Sequence, residues 1–167
     1  MSTKTPPILN IETAELMEWR HGEKYEARMA QIGRLLGARK LGYRVVVLPP
    51  GKAAWPRHAH YVNEEMFFII EGSGALRLGD EAYPVRAGDV IAAPPGPETP
   101  HQILNDSDAD LRYLCVSTME APDIVEMPDS GKINVMVGSP PGGDKAARTL
   151  SVCLPKDAAV DYWEGEG

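Results

Sequence analysis

Cysteine is scarce: Cys115 and Cys153 are the two in 167 residues, far apart in the chain. That number cannot build a disulfide framework or a cysteine-type structural zinc site, so both are expected to be buried free thiols. Long apolar runs are missing as well. No stretch approaches the roughly 18 residues a membrane-spanning helix needs. Met1 to Leu9 lacks the basic start and apolar run of a secretory leader, so a cytoplasmic protein is expected. Positive charge is neither abundant nor clustered: 17 Lys and Arg face 24 Asp and Glu, for a net charge of −7. Such a surface repels nucleic-acid phosphates and anionic membranes, which excludes both as expected partners. No internal repeat or low-complexity segment is evident, and the length suits one domain with extensions.

Short β-rich runs separated by turn residues fill the middle of the chain. Tyr43 to Leu48 is β-branched and closes at Pro49-Pro50-Gly51; Met66 to Ile70 is the most apolar run and stops at Glu71-Gly72. Ala75 to Leu78 and Ala82 to Arg86 flank Gly79-Asp80-Glu81, a hairpin signal. Val90 to Ala93 follows, ahead of a proline loop at Pro94 to Pro97. His101 to Leu104 and Leu111 to Thr118 flank Asn105-Asp106-Ser107-Asp108, a second expected hairpin. This rhythm predicts an all-β sandwich or barrel over 41–119, preceded by an N-terminal arm and leading strands (1–40) and followed by a C-terminal extension (120–167) packing on the barrel or a partner. Ile11 to Trp19 reads as a helical turn with Thr13 as N-cap; the pattern of Tyr25 to Leu36 does not decide between helix and strand, and Gly33 and Gly37 argue for broken strands. Lys132 to Val137 and Thr149 to Leu154 are further strand candidates, and Tyr162 and Trp163 in the acidic tail are expected to be docked.

Chemistry concentrates in two stretches. His58 and His60, two apart, project to one face of a strand; Glu64 and Glu65 follow, and His101 lies in the second stretch after the proline loop. Three imidazoles and a carboxylate suit a divalent transition metal: Fe, Mn, Ni, Cu or Zn. Alternation cannot choose between Glu64 and Glu65, because both faces of the following run are apolar. The fourth histidine, His21, reads as a surface residue.

These stretches resemble the two motifs of the cupin superfamily, G(X)5HXH(X)3-4E(X)6G and G(X)5PXG(X)2H(X)3N. The first reads Gly51, six residues, His58-Ala59-His60, four residues, Glu65, six residues, Gly72, one residue longer than the family pattern before the histidines. The second reads Gly88, five residues, Pro94-Pro95-Gly96, four residues, His101, three residues, Asn105, two residues longer in the loop before the histidine. The resemblance covers about half the chain. It implies a double-stranded β-helix (jelly-roll) barrel, usually a homodimer, with a metal held by residues matching His58, His60, Glu65 and His101. The six residues before Gly72 favour Glu65 over Glu64 as the carboxylate. Family activities span dioxygenases, isomerases, decarboxylases and non-catalytic binders of sugars or other small molecules, so the fold does not settle the function.

Several side chains are expected beside the ligands or along the pocket: Glu64, Tyr43, Phe67, Tyr113 and Asn105. Either Tyr43, Val45 and Val47 or Arg44, Val46 and Leu48 face inward. His101, Ile103 and Asn105 point in, Gln102 and Leu104 away, and Tyr113 shares a face with Cys115. No residue is assigned a catalytic role, and no organic cofactor is implied. The reading is a metal-binding protein for a small oxygen-bearing molecule or sugar derivative, either catalysing oxygenation, isomerisation or decarboxylation, or only binding. The two-faced apolar character of Met66 to Ile70 calls for a cover on the outer face, from a second sheet, the N-terminal arm or a partner, and a C2 homodimer is the expectation.

Overall fold

Residue 5 and residues 7–167 are described by the computed structural model. Met1 to Lys4 and Pro6, part of the expected N-terminal arm, lie outside the described residues.

Thirteen strands and one short helix follow in order: β1 (Met17–His21), β2 (Tyr25–Ala30), α1 (Ile32–Leu35), β3 (Leu41–Leu48), β4 (Ala59–His60), β5 (Glu65–Glu71), β6 (Ser73–Leu78), β7 (Glu81–Arg86), β8 (Val90–Ala93), β9 (His101–Leu104), β10 (Leu111–Thr118), β11 (Asp123–Met127), β12 (Lys132–Val137) and β13 (Leu150–Pro155). One sheet runs β1-β2-β3-β10-β5-β8; opposite it stand a three-stranded sheet, β7-β6-β9, and a four-stranded sheet, β13-β12-β11-β4. Bridges from Ala53 to Leu104 and from His58 to His101 stitch the segment before β4 to β9, joining the two smaller sheets. All named pairings are antiparallel. The architecture is an all-β double-stranded β-helix.

Alternation along the large sheet divides the apolar side chains between two clusters. Val46 and Leu48 of β3, Phe67 and Ile69 of β5, and Tyr113 and Cys115 of β10 meet Leu76, Val85 and Ile103 of the opposing sheet, forming the core between layers. Side chains of the other parity, Val45, Tyr43, Ile70 and Leu114, are covered from outside by Leu9, Ile11, Leu16, Ile32 and Leu36. The choice left open for β3 is thereby settled: Val46 and Leu48 face inward, with Arg44, and Tyr43 faces the N-terminal cover.

Local chemistry explains where the structure departs from expectation. Ile11 to Trp19 is not a helical turn. The Asn10 side chain accepts from Glu12 N (2.8 Å) and its carbonyl accepts from Thr13 N (3.2 Å), an Asx turn that leads into β1. Trp19 lies in β1 and its indole donates to Ala54 O at 3.1 Å. Tyr25 to Leu36 is both things in succession, a strand and then a single helical turn. The strands β9 and β10 do not form a hairpin. Asn105 donates to Leu48 O and Ala109 O (both 2.7 Å) and accepts from Ser107 Oγ (2.8 Å), pinning a crossover from one layer to the other. Cys115 is buried, but Cys153 is exposed because β13 is an edge strand. Tyr162 and Trp163 remain 83% and 72% exposed, packing edge to face on each other at 4.9 Å, not on the barrel. No helix among the described residues is long and apolar enough to cross a membrane.

Candidate metal centre

Three local structures bring the chemistry together at one end of the core. His58 and His101 face across a reciprocal backbone pair, His58 N to His101 O at 3.0 Å and His101 N to His58 O at 2.8 Å. His60 ends β4, and Glu65 opens β5. The Glu65 Oε2 atom lies 2.9 Å from His101 Nε2, 3.6 Å from His60 Nε2 and 3.9 Å from His58 Nε2. One donor atom each from His58, His60 and Glu65 falls within 4.8 Å of the others. His60, Glu65 and His101 are buried, and His58 is half-buried.

The other face of each ring explains which nitrogen points inward. His58 Nδ1 meets Pro56 O at 2.8 Å, His60 Nδ1 meets Asp123 Oδ2 at 2.7 Å, and His101 Nδ1 meets Thr99 O at 3.1 Å. A neutral imidazole facing an acceptor carries its proton on that nitrogen, which turns the Nε2 lone pairs of His58 and His60 towards the Glu65 carboxylate, while His101 Nε2 is hydrogen-bonded to Glu65 Oε2 at 2.9 Å. Electron pairs gathered around an anionic oxygen repel unless a cation or protons stand between them. The donor set is compatible with a divalent transition metal, and acceptors behind the rings orient them as they do in such ligands.

As proton sites the same groups are strongly shifted. Burial, reinforced by the charge of His101, holds His58 down to about 4. Burial opposes ionisation of Glu65, but the hydrogen bond from His101 and the charges of His60 and His58 prevail and hold it at about 2. His60 goes the other way: burial lowers it, and the Asp123 hydrogen bond with the Glu65 charge raises it past its ordinary value. These directions fix the signs of a pH prediction for metal-free protein. An unfolded His58, with an ordinary value of 6.5, takes up a proton that the folded one refuses down to about 4, so its share of stability is lost as pH falls across that window. Glu65 adds a loss of the same sign between 4.5 and about 2, whereas His60 partly offsets by gaining stability as it protonates. Thermal melts at stepped pH should show the first fall between pH 6.5 and 4, and His58→Gln should flatten it. An unchanged slope in that variant removes His58 as the source.

A cavity of about 280 Å³ opens over the cluster, just below the roughly 300–1,000 Å³ usual for ligand pockets. Its walls are apolar at Ala54, Trp55, Phe67, Tyr113, Val125 and Met136, with polar side chains from Arg44, Gln102, Asn134 and Arg148. Phe67 packs against the His101 ring (centroids 5.4 Å apart) and the Tyr113 ring (6.0 Å). Burial pushes the Tyr113 hydroxyl and the Cys115 thiol well above their ordinary values, so both keep their protons.

Of the side chains expected around the ligands, Phe67 and Tyr113 line this cavity; Glu64, Tyr43 and Asn105 do not. Glu64 is exposed, with its backbone tied to Thr118, because β5 turns Glu65 inward at the next position. Tyr43 packs under the N-terminal cover, and Asn105 is occupied by its crossover. Gln102 does not point away as alternation implied. It is buried, donating to Trp55 O at 2.6 Å and accepting from Arg77 at 3.1 Å. Sequence reasoning missed Asp123 and Asn63 entirely. Asp123 lies in β11, beyond both histidine stretches, and no spacing connects it to His60.

A jelly roll with a His-His-Glu cluster at one end of its core defines a small β-barrel protein whose site is compatible with a divalent metal. The cupin domain profile matches residues 44–117, and the chain carries a domain of the cupin superfamily. An uncharacterized protein of Methanocaldococcus jannaschii is 43% identical over 60 residues, 36% of this chain and 46% of its own length. An oxalate-binding protein of Thermotoga maritima is 33% identical over 69 residues, 41% of this chain and 54% of its own. The matches therefore span about half the length of these relatives. A sugar phosphate isomerase from a cupin superfamily in Silicibacter pomeroyi superposes with a TM-score of 0.75 at 22% identity, covering 92% of this chain and 95% of that one. At that identity the likeness is one of fold.

Proposed function

We propose that this chain holds one divalent transition metal through His58, His60, Glu65 and His101 and binds a small oxygen-bearing organic molecule in the cavity above it. The observation carrying this reading is that all three Nδ1 atoms face acceptors, which aims the three Nε2 atoms at one carboxylate. An ion bound there supplies Lewis-acid polarisation of a ligand oxygen. The chain's own residues do the rest. Asp123 orients His60, Phe67 braces His101, and Trp55, Val125 and Met136 exclude water. Glu65 offsets part of the ion's charge, leaving a centre that attracts anionic or enolisable oxygen. Tyr113 keeps its proton and is suited to donating a hydrogen bond.

The name of the Thermotoga maritima relative, an oxalate-binding protein, favours a ligand with carboxylate oxygens. That of the Silicibacter pomeroyi structure offers sugar phosphate isomerisation as the catalytic version. Binding without turnover is the second reading, favoured because, among the described residues, the lining outside the ligand set holds no further histidine or carboxylate, and its Tyr113 and Cys115 both keep their protons. A cytoplasmic homodimer belongs to the same proposal, since Phe68 and Val90, cross-strand neighbours on the outer face, are 38% and 68% exposed.

The test is metal loading. Chelator-stripped protein titrated with Co(II), Mn(II), Ni(II) and Zn(II) should bind one ion per chain and melt higher when loaded, by about 2.7 kcal/mol at a hundredfold excess over Kd. Failure of every ion to bind or stabilise overturns the metal reading.

A further inference from the structure

We infer that Arg44 is the specificity-determining residue of the cavity, an anion receptor that selects ligands carrying a carboxylate or phosphoryl group at the end away from the histidine cluster. The inference rests on the proposed metal site and deepens it by naming the ligand class. Arg44 lies on β3 directly across from Cys115 of β10, and Cys115 Sγ is 3.8 Å from Glu65 Oε1, so the guanidinium enters one strand away from the ligand cluster. It lines the cavity with its Cζ 5.2 Å from the Trp55 ring centroid, a cation–π contact, and among the described residues its guanidinium donates no hydrogen bond. Its charge is felt at His60, Tyr113 and Cys115.

Arg44 brings its charge to the cavity wall without a counter-charge. Among the described residues the arginine ion pairs use Arg20, Arg28, Arg57, Arg77 and Arg112, and none uses Arg44. A second arginine of the lining, Arg148, spends its donors on the loop before β13, giving Nε to Ser139 O (3.2 Å) and Nη2 to Pro140 O (3.0 Å). That loop passes close to Arg44: a Cβ at Gly142 would lie 2.5 Å from Arg44 Nη2, the movable end of the arginine, and the +76° φ there favours glycine in its own right.

An unpaired, partly buried guanidinium is costly to keep, and its planar fork matches an oxyanion bidentately. The cavity volume of about 280 Å³ limits the ligand to a short molecule. One end would present oxygen to the histidine cluster, and the other would carry negative charge to Arg44.

A matched series of short acids tests this by calorimetry, using full-length protein with and without Co(II). Malonate and phosphonoacetate carry a second anionic arm, carboxylate or phosphonate, and monomethyl malonate keeps the first carboxylate but has a neutral second arm. Wild-type protein should prefer a dianion over the monoester by at least tenfold, and the better of the two dianions identifies the carboxylate or phosphoryl source. Arg44→Gln should weaken the preferred dianion about 10- to 100-fold, leave the monoester within about twofold, and keep Co(II) stoichiometry unchanged. Arg44→Lys, which retains charge without the fork, should recover part of the loss and guards against a folding defect in Arg44→Gln. Equal affinity for dianion and monoester in the wild type, or equal losses for both in Arg44→Gln, overturns the inference. Failure of Co(II) to bind sinks the metal reading alone, because the comparison of wild type with Arg44→Gln in metal-free protein still decides the role of Arg44.

Discussion

Asp123→Ala should cost about 3–5 kcal/mol of folding stability and lower metal affinity by about 10- to 100-fold. The carboxylate is fully buried at 0% exposure and accepts from His60 Nδ1 (2.7 Å), Asn63 Nδ2 (2.8 Å) and Val62 N (3.2 Å). Burial works against its ionisation, but the hydrogen bonds from His60 and Asn63 hold its carboxyl below the ordinary range. Alanine strands the buried donors of His60 and Asn63, takes away the partner of Val62 N, and frees the His60 ring to rotate. Asp123→Asn separates the two effects. It fills the same space and retains one acceptor, so stability should recover in part, while the missing charge lets the His60 value fall. Urea unfolding reads the first effect and Co(II) titration the second. An Asp123→Ala protein of wild-type stability and wild-type cobalt affinity would show that the carboxylate neither supports the fold nor orients its histidine.

Asp123 also marks what a sequence conceals. His58, His60, Glu65 and His101 are legible because His58 and His60 sit two apart on one extended segment and the set matches the spacings of the cupin motifs it resembles. The strands carry their own periodicity, so β3 and β5 to β10 are visible as β-branched or apolar runs between Gly and Pro. The partner of His60 comes from β11, paired to β4 through only Val125 with His60 and Glu126 with Ala59, a contact made by the tertiary fold alone. The same limit explains the misread hairpin. Leu111 to Thr118 follows His101 to Leu104 after a short polar loop, as hairpin strands do, yet each strand has a better partner in a different layer. Arg44 was legible only as one of two parities for β3, and choosing between them required seeing which face the N-terminal segment covers.

Gly72→Ala should destabilise the protein by about 2–5 kcal/mol, whereas Gly51→Ala, at the other end of the first motif, should cost only about 1–2 kcal/mol. Both glycines have positive φ, +83° at Gly72 and +73° at Gly51, so an L side chain meets the left-handed penalty at each. Their surroundings differ. A Cβ at Gly51 would meet nothing within 4 Å, but at Gly72 it would overlap the carbonyl oxygen of Asp110 and crowd Leu111 Cα at 3.1 Å. Those atoms are backbone and cannot swing aside, so the start of β10 must shift. Leu111 is fully buried in the core, and Tyr113 forms a cavity wall two residues on. The Gly72 variant should therefore loosen the cavity as well as the fold, lowering metal-loaded and metal-free melting temperatures alike, since none of the metal's proposed ligands is touched. Equal losses in the two variants would mean that φ alone matters at these positions and that the close approach between the β5–β6 turn and β10 carries no energy of its own.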